Sequence, residues 1–220
     1  MLELKSLKKS YHQGAQTIQI FEHLNFQVEE GQRVAIMGKS GSGKSTLLSL
    51  ISGIIKPDDG DISLNSVWYK DLQESELNDF RAMNIGFVFQ NFHLVSYLNA
   101  LENVMLPAKV CKVSKPREKA MKLLDSVGLG HRMDHLPAQL SGGEKQRVAI
   151  ARALIHNPKI ILADEPSGNL DDETGNAVMD ILFELIKKNN TTLILVTHSK
   201  EVAKRCEKTY ELIQGYLKPC

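Results

Sequence analysis

A stretch of nine residues combines glycines, a lysine and hydroxyl side chains in the spacing of a phosphate-binding loop, G-x-x-x-x-G-K-S. Its members are Gly38, Lys39, Ser40, Gly41, Ser42, Gly43, Lys44, Ser45 and Thr46. Glycines let successive backbone N–H groups point at an anion. Lys44 adds a point charge for the outer phosphates, and the Ser45 hydroxyl can ligate Mg²⁺. The loop therefore predicts binding of a nucleoside triphosphate.

The elements on either side of this loop suit the same chemistry. Residues 33–37 are short and apolar enough for a buried strand, and residues 47–53 predict a helix that ends at Gly53. A strand, a glycine-rich turn and a helix place the phosphates at a helix N-terminus, where free N–H groups favour negative charge. This context argues against the alternative, a flexible Gly/Ser loop.

Two carboxylates end a second apolar stretch, residues 159–166. Asp164 is placed to hold Mg²⁺ through water, and Glu165 is placed to polarise a nucleophilic water. Strands that end in acidic residues are common. This pattern therefore indicates a catalytic site only in combination with the phosphate loop.

Two further polar residues follow predicted strands directly: Gln90 after residues 85–89, and His198 just after residues 192–196. In open α/β sheets, ligands gather beyond the carboxyl ends of the strands. Gln90 there can reach a metal or a water, although a polar loop residue is an equal interpretation. A lone histidine at a strand end is usually structural. His198 is a candidate site residue because other predicted strands also end in polar residues where the phosphates would lie.

The segment Leu140-Ser141-Gly142-Gly143-Glu144 opens a predicted helix. Ser141 and Glu144 match a capping box, S-x-x-E, and a well-capped helix is one sufficient interpretation. Two glycines in a first helical turn are poor helix formers, however. They are explained if an anion must approach that N-terminus closely.

Composition limits the class of protein. The chain has 220 residues and a formal net charge of +1, which does not favour a general attraction to nucleic acid. Its three cysteines are scattered without metal-ligand spacing, as in a reducing compartment. The first residues lack the apolar core of a signal peptide, and no apolar run approaches the ~20 residues that span a bilayer. We expect a cytosolic protein, with any membrane spans supplied by another chain.

The remaining patterns predict the outline of the chain. Residues 2–7 and 18–28 predict strands around a polar turn at 12–16, and residues 100–110 and 117–127 predict helices. Residues 91–138 contain both helices and lack strand patterns, so this segment is interpreted as an inserted helical subdomain.

The order of the motifs resembles that of the ATP-binding cassette (ABC) ATPases, over essentially all 220 residues. The resemblance implies an α/β fold: a P-loop NTPase core, the ABC nucleotide-binding domain, with an antiparallel β subdomain and an inserted helical subdomain. In this single domain of residues 1–220, the β subdomain and ATPase core are expected in residues 1–90 and 151–220. The helical subdomain, with the signature motif Leu140–Glu144, is expected in residues 91–150.

The same resemblance implies roles toward ATP and Mg²⁺. Tyr11 is expected to stack on adenine, and residues 38–46 to hold the phosphates. The implied metal ligands are Ser45, Gln90 and Asp164. The implied catalytic residues are Glu165 as general base, His198 at the γ-phosphate, and Lys44. Residues Ser141, Gly142, Gly143 and Glu144 are expected to complete the site of a second copy, so that two ATP molecules lie between two cassettes.

Finer motifs, at residues 86–94, 101–104 and 163–171, resemble one bacterial branch that includes lipoprotein-releasing, macrolide-exporting and cell-division cassettes. The branch implies an ATP-hydrolysing homodimer that energises an integral membrane permease subunit, for lipoprotein release or for export of a peptide or drug. It also implies a cytoplasmic protein, peripheral on the cytoplasmic face of the inner membrane, with no nucleic-acid partner. The permease is predicted to dock near Gln90–Leu106.

Two other functions stay open at this point. One is a regulatory cassette that signals to a membrane partner without moving any substrate. The other is a soluble cassette that acts on nucleic acid or ribosomes, which the near-neutral charge and the lack of a second cassette or a long coiled-coil insertion disfavour. A kinase or small GTPase does not account for Leu140–Glu144.

Overall fold

The computed structural model describes residues 1–14 and 16–220. Ala15, which belongs to the predicted turn at 12–16, lies outside the described residues. The elements in chain order are β1 (Leu2–Gln13), β2 (Gln16–Val28), β3 (Arg33–Met37), α1 (Lys44–Ile51), β4 (Asp59–Leu64), β5 (Val67–Trp68), α2 (Glu74–Asn84), β6 (Ile85–Phe89), α3 (Ala100–Val110), α4 (Pro116–Ser126), α5 (Gly142–Leu154), β7 (Ile160–Asp164), α6 (Asp172–Asn189), β8 (Thr192–Val196), α7 (Lys200–Ala203), β9 (Lys208–Ile213) and β10 (Tyr216–Pro219).

The chain separates into two compact units. The first unit comprises Met1–Arg81 with Thr192–Cys220, and the second unit comprises Ala82–Thr191. The predicted helical subdomain at residues 91–150 is a different division of the chain, and it stays a prediction.

The first unit contains two groups of strands. One is an antiparallel sheet in the order β2-β1-β4-β5. In the other, β3 lies parallel to β8 on one side and to β9 on the other, and β10 pairs antiparallel with β9. Because β3 is flanked on both edges, Val34, Ala35 and Ile36 are fully buried, as an apolar parallel strand requires. The phosphate loop therefore starts from a rigid strand.

The second unit pairs β6 with β7 in parallel and carries helices α3 to α6. The register sets Phe89 opposite Asp164, the last residues of the two strands. Gln90 and Glu165 consequently leave the sheet at neighbouring strand ends.

Helix α6 shows how local sequence sets a boundary. Asp171 caps it by accepting a 3.0 Å hydrogen bond from the Thr174 N–H. Acidic residues fill its first turn and lysines its last, which complements the helix dipole. Its buried residues, spaced three or four apart, form one apolar face: Gly175, Val178, Met179, Leu182, Phe183, Leu185 and Ile186.

One surface carboxylate ties the turn before β4 to strand β1. Asp58 accepts hydrogen bonds from the Lys9 ammonium (2.7 Å), the Ser10 N–H (2.7 Å) and the Ser10 hydroxyl (2.8 Å). These donors favour the charged form, and the hydrogen bond from Lys9 is the largest cause that lowers the pKa of Asp58 to about 2.

We expect Asp58→Asn to lower the free energy of unfolding by about 1 kcal/mol at neutral pH, a figure that allows for solvent screening. Because the folded-state pKa lies below the ordinary value, the stabilisation is present above about pH 4 and disappears as the pH falls toward about 2. Urea unfolding of both proteins at several pH values measures the difference. The exposed Asp79→Asn is the matched control. A difference that does not shrink with acid would contradict the prediction.

Candidate functional site

The phosphate loop of the first unit is shaped by close contacts at its glycines. Gly43 has φ +98°, and a Cβ there would lie 2.7 Å from Ile20 Cγ2, so only glycine fits. A Cβ at Gly38 would lie 2.7 Å from Ser42 Oγ. Helix α1 begins at Lys44, with Gly43 as an N-cap that offers no side chain to the helix N-terminus. The loop thus leads into a helix start suited to an anion.

Two side chains of the loop fit a phosphate guest. The Lys44 ammonium donates to the carbonyls of Gly38 (2.8 Å) and Lys39 (2.9 Å), so it lies folded over the loop. The Ser42 hydroxyl is buried and has no hydrogen-bond partner among the described residues. A buried hydroxyl of this kind normally finds a partner, and a phosphate oxygen would supply one. The remaining members of the loop are Ser40, Gly41, Ser45 and Thr46, which lie between these groups or at the start of α1.

The first unit also places His198 beside the loop. A cavity of about 640 Å³ is lined by Met37, Gly38, Lys39 and His198, among others. The histidine follows Thr197, which is 2% exposed and whose Oγ1 accepts a 3.1 Å hydrogen bond from Ser199 N. The structure therefore brings together two groups that sequence reasoning placed at the phosphates.

Tyr11 lies on β1 with 43% of its surface exposed. The Lys9 ammonium lies 5.6 Å from the centroid of its ring, within the range of a cation–π contact. The ring is thus accessible, and its predicted stacking on adenine stays a prediction.

Gln90 in the second unit is held by Asn169, from the loop between β7 and α6. Gln90 Nε2 donates to Asn169 Oδ1 at 3.0 Å. Asn169 Nδ2 donates to Gln90 O at 3.1 Å and to Asn91 Oδ1 at 2.8 Å. In the sequence, Asn169 is only one member of the motif at residues 163–171. Nothing in its spacing indicates a partner 79 residues away.

Asp164 ends β7, and Glu165 follows it with φ +45°, a left-handed conformation that is uncommon outside glycine. The Glu165 carbonyl accepts a 2.9 Å hydrogen bond from Gly168 N, which closes a tight turn. Such backbone strain is concentrated at functional positions.

The signature motif opens α5 with the predicted capping box. Glu144 N donates to Ser141 Oγ (3.2 Å), and Ser141 N donates to Glu144 Oε2 (2.7 Å). The bond from Ser141 N is the largest cause that lowers the pKa of Glu144. These contacts fix the N-terminus of the helix.

The two glycines of the motif also have a reason inside the unit, which the sequence analysis did not foresee. A Cβ at Gly143 would lie 2.4 Å from Thr174 Cγ2 on α6, and one at Gly142 would lie 3.0 Å from Leu170 Cδ2. Close packing therefore requires glycine at 143 whether or not an anion approaches. Their predicted role toward a second copy's nucleotide stays a prediction.

Two residues of α5, the half-buried Arg152 and the buried Gln146, were not predicted as site residues. The Arg152 guanidinium donates to Phe92 O (2.7 Å) and His93 O (2.6 Å), and both of those residues have left-handed φ angles of 58° and 47°. Gln146 is fully buried, and its Nε2 donates to Phe89 O at 3.3 Å. Helix α5 thus holds the backbone on both sides of Gln90.

The donor chemistry of the predicted metal ligands suits Mg²⁺. A serine hydroxyl, a carboxamide oxygen and a carboxylate are hard oxygen ligands of the type that Mg²⁺ prefers, and sulfur and imidazole ligands are not among them. Ser45 belongs to the first unit, whereas Gln90 and Asp164 belong to the second.

Among the described residues, every helix is too short or too polar to traverse a lipid bilayer. The family model for ABC transporters matches residues 21–168. The lipoprotein-releasing system ATP-binding protein LolD of Legionella pneumophila (strain Lens) is 46% identical over 99% of this chain and 96% of that protein. The uncharacterized ABC transporter ATP-binding protein YbbA of Escherichia coli (strain K12) is 46% identical, with the same coverage.

Solved structures agree. The cassette MJ0796, described as a dimeric post-hydrolysis state bound to ADP and Pi, superimposes with a TM-score of 0.90 at 41% identity, and the match covers 99% of this chain and 96% of that one. The predicted family and fold class are confirmed, and so is the predicted ATPase activity. The chain therefore belongs to the ABC transporter family, as one of its ATP-binding and ATP-hydrolysing cassettes.

Proposed function

We propose that this chain energises a membrane transport complex by binding and hydrolysing ATP between two copies of itself. The observation that carries the proposal is that one chain holds both a phosphate loop with an unpaired buried hydroxyl at Ser42 and a capped signature helix at Ser141. Similarity to MJ0796, whose structure is dimeric with ADP and Pi, supports the same arrangement.

The predicted site residues have separate roles toward ATP in this proposal. Lys44 and the N-terminus of α1 bind the phosphates, Tyr11 stacks on the base, and His198 contacts the γ-phosphate. Ser45, Gln90 and Asp164 would hold Mg²⁺, which when bound neutralises charge on the phosphates. Glu165 then accepts a proton from the attacking water as general base.

The signature residues Ser141, Gly142, Gly143 and Glu144 act on the nucleotide of the second copy. The N-terminus of α5 offers N–H groups and the positive end of a helix dipole to a γ-phosphate. ATP therefore bridges two chains, and loss of the γ-phosphate releases them. A ligand that favours the closed pair in this way can drive a two-state cycle.

Lipoprotein release is the cargo process that the relatives favour, since LolD proteins of Legionella pneumophila and Hydrogenovibrio crunogenus are 46% and 47% identical to this chain. The name of YbbA, which is equally similar, states no cargo. The equal similarity to YbbA keeps export of a different cargo open. The alternative from another class is a regulatory cassette that signals to a membrane partner without transport.

We place the docking of the permease subunit on an apolar groove of the second unit, about 360 Å³ in volume. Phe87, Phe89, Pro107 and Val110 line it, and Val110 is 67% exposed. This groove shares α3 with the predicted region Gln90–Leu106. With the permease bound to this groove, this chain would lie at the cytoplasmic face of the inner membrane.

The test is affinity recovery from solubilised membranes with ATP, using a Glu165→Gln chain. Recovery of an integral membrane protein supports the proposal, and lipoprotein release by the reconstituted complex identifies the cargo. Val110→Asp should abolish recovery, whereas Met83→Asp, at a residue 55% exposed outside the groove lining, should not. Recovery of ribosomes or nucleic acid alone would overturn the transport function.

A further inference from the structure

The side chain of Asn169 makes three hydrogen bonds to two consecutive residues beyond β6. It accepts from Gln90 Nε2 (3.0 Å), and it donates to Gln90 O (3.1 Å) and to Asn91 Oδ1 (2.8 Å). Asn169 thus contacts both the side chain and the backbone of Gln90. It reaches Gln90 from the loop that also carries Glu165.

The direction of these bonds fixes the direction of the Gln90 carboxamide. A backbone carbonyl can only accept, so Gln90 O requires the Nδ2 end of Asn169 to face it. The Oδ1 end must then face Gln90 Nε2. With its nitrogen committed in this way, the Gln90 carboxamide directs its oxygen to the opposite side. The reversed orientation would set two oxygens against each other.

The close approach of the two loops depends on Gly168. A Cβ at this position would lie 2.9 Å from Gln90 Nε2 and 3.3 Å from Glu165 O. A side chain at this position would therefore displace the Gln90 carboxamide from Asn169 or shift the backbone by a few tenths of an ångström. Glycine at 168 thus leaves the contact between Asn169 and Gln90 undisturbed.

We propose that Asn169 is a positioning residue that orients the Gln90 carboxamide with its oxygen toward Mg²⁺. The inference rests on the proposed function, in which Gln90 is a metal ligand. Groups that orient a metal ligand commonly change metal affinity 10–100-fold when they are removed. Asn169 also ties the metal ligand to the loop of the general base, Glu165, so the two respond together to movement of that loop.

The test measures nucleotide binding rather than turnover, in the full chain with Glu165→Gln. Isothermal titration with ATP is run once with Mg²⁺ and once with EDTA. The ratio of the two dissociation constants gives the gain in ATP affinity that the metal supplies. We expect Asn169→Ala to reduce that gain about tenfold and to leave binding in EDTA unchanged. Asn91→Ala, which removes a partner of Asn169 but not the Gln90 pair, is the matched control and should keep the full gain.

A double-mutant cycle shows whether Asn169 acts through Gln90. Gln90→Ala should reduce the gain at least as much, and Asn169→Ala should add nothing to it. Additive losses would overturn the inference, and so would a full gain in Asn169→Ala. If Gln90→Ala itself keeps the full gain, the proposed metal site fails instead. Should Asn169→Ala not fold, Asn169→Leu, which keeps a similar size but loses the acceptor for Gln90 Nε2, must show the same reduced gain.

Discussion

A Glu165→Gln chain should bind ATP with the affinity of the unchanged protein and hydrolyse it at least about a hundredfold more slowly, because a carboxamide cannot accept the proton of the attacking water. The substitution preserves the size and the hydrogen-bonding reach of the side chain, so the strained backbone at φ +45° is retained. Phosphate release in a single turnover measures the chemical step, and titration calorimetry measures binding.

The same variant should accumulate as a dimer, since the γ-phosphate that joins two copies is not removed. Light scattering with ATP should therefore report twice the mass found with ADP. Glu173→Gln, at an exposed position in the first turn of α6, is the control and should hydrolyse ATP normally. Normal turnover in Glu165→Gln would contradict the assignment of the base.

Arg152→Met should cost about 3 kcal/mol of unfolding free energy, the largest loss of stability that we expect from one side chain. Methionine keeps most of the apolar stem but removes two charge-assisted hydrogen bonds to the carbonyls of Phe92 and His93. Burial lowers the pKa of the Arg152 guanidinium, yet arginine stays charged in proteins. Arg152→Met therefore replaces a charged donor with a neutral side chain that cannot donate. The left-handed residues 92 and 93 lose the contact that holds them.

Urea unfolding measures the loss, with exposed Arg117→Met as the control. Since two compact units need not unfold in one step, hydrogen exchange locates the effect, which should appear as lost amide protection across residues 89–93. Arg152→Lys should recover only part of the stability, because an ammonium does not reproduce the planar fork of the guanidinium. Full recovery by lysine would show that charge alone matters.

Local patterns predicted much of this molecule. The strands at 33–37, 85–89 and 192–196 and the helix at 100–110 have the predicted bounds. Each is a short apolar run or a helix with its own cap, such as Asn99 for α3. The first hairpin extends further than predicted, with β1 reaching Gln13, because its outer residues face solvent and its register is shifted by irregularities.

The contacts that orient the site were outside the reach of sequence patterns. Asn169 meets Gln90 across 79 residues, and Arg152 meets Phe92 across 60. An asparagine in a loop and an arginine in a helix are ordinary residues until the fold supplies their partners. The chemistry of the site was predictable from motif spacing, whereas its positioning depends on long-range packing.

The pairing of β3 has a consequence for how the protein is made. Both of its neighbours, β8 and β9, come from the C-terminal segment, and Gly31 N reaches Thr192 Oγ1 across 161 residues. At about 5–20 residues per second, synthesis leaves this apolar strand unpaired for roughly 10–30 s. The second unit, continuous in sequence, can fold during that interval. A nascent chain therefore exposes the strand that carries its phosphate loop until β8 and β9 have been synthesised. Its vulnerability to aggregation and its need for chaperones should be concentrated there.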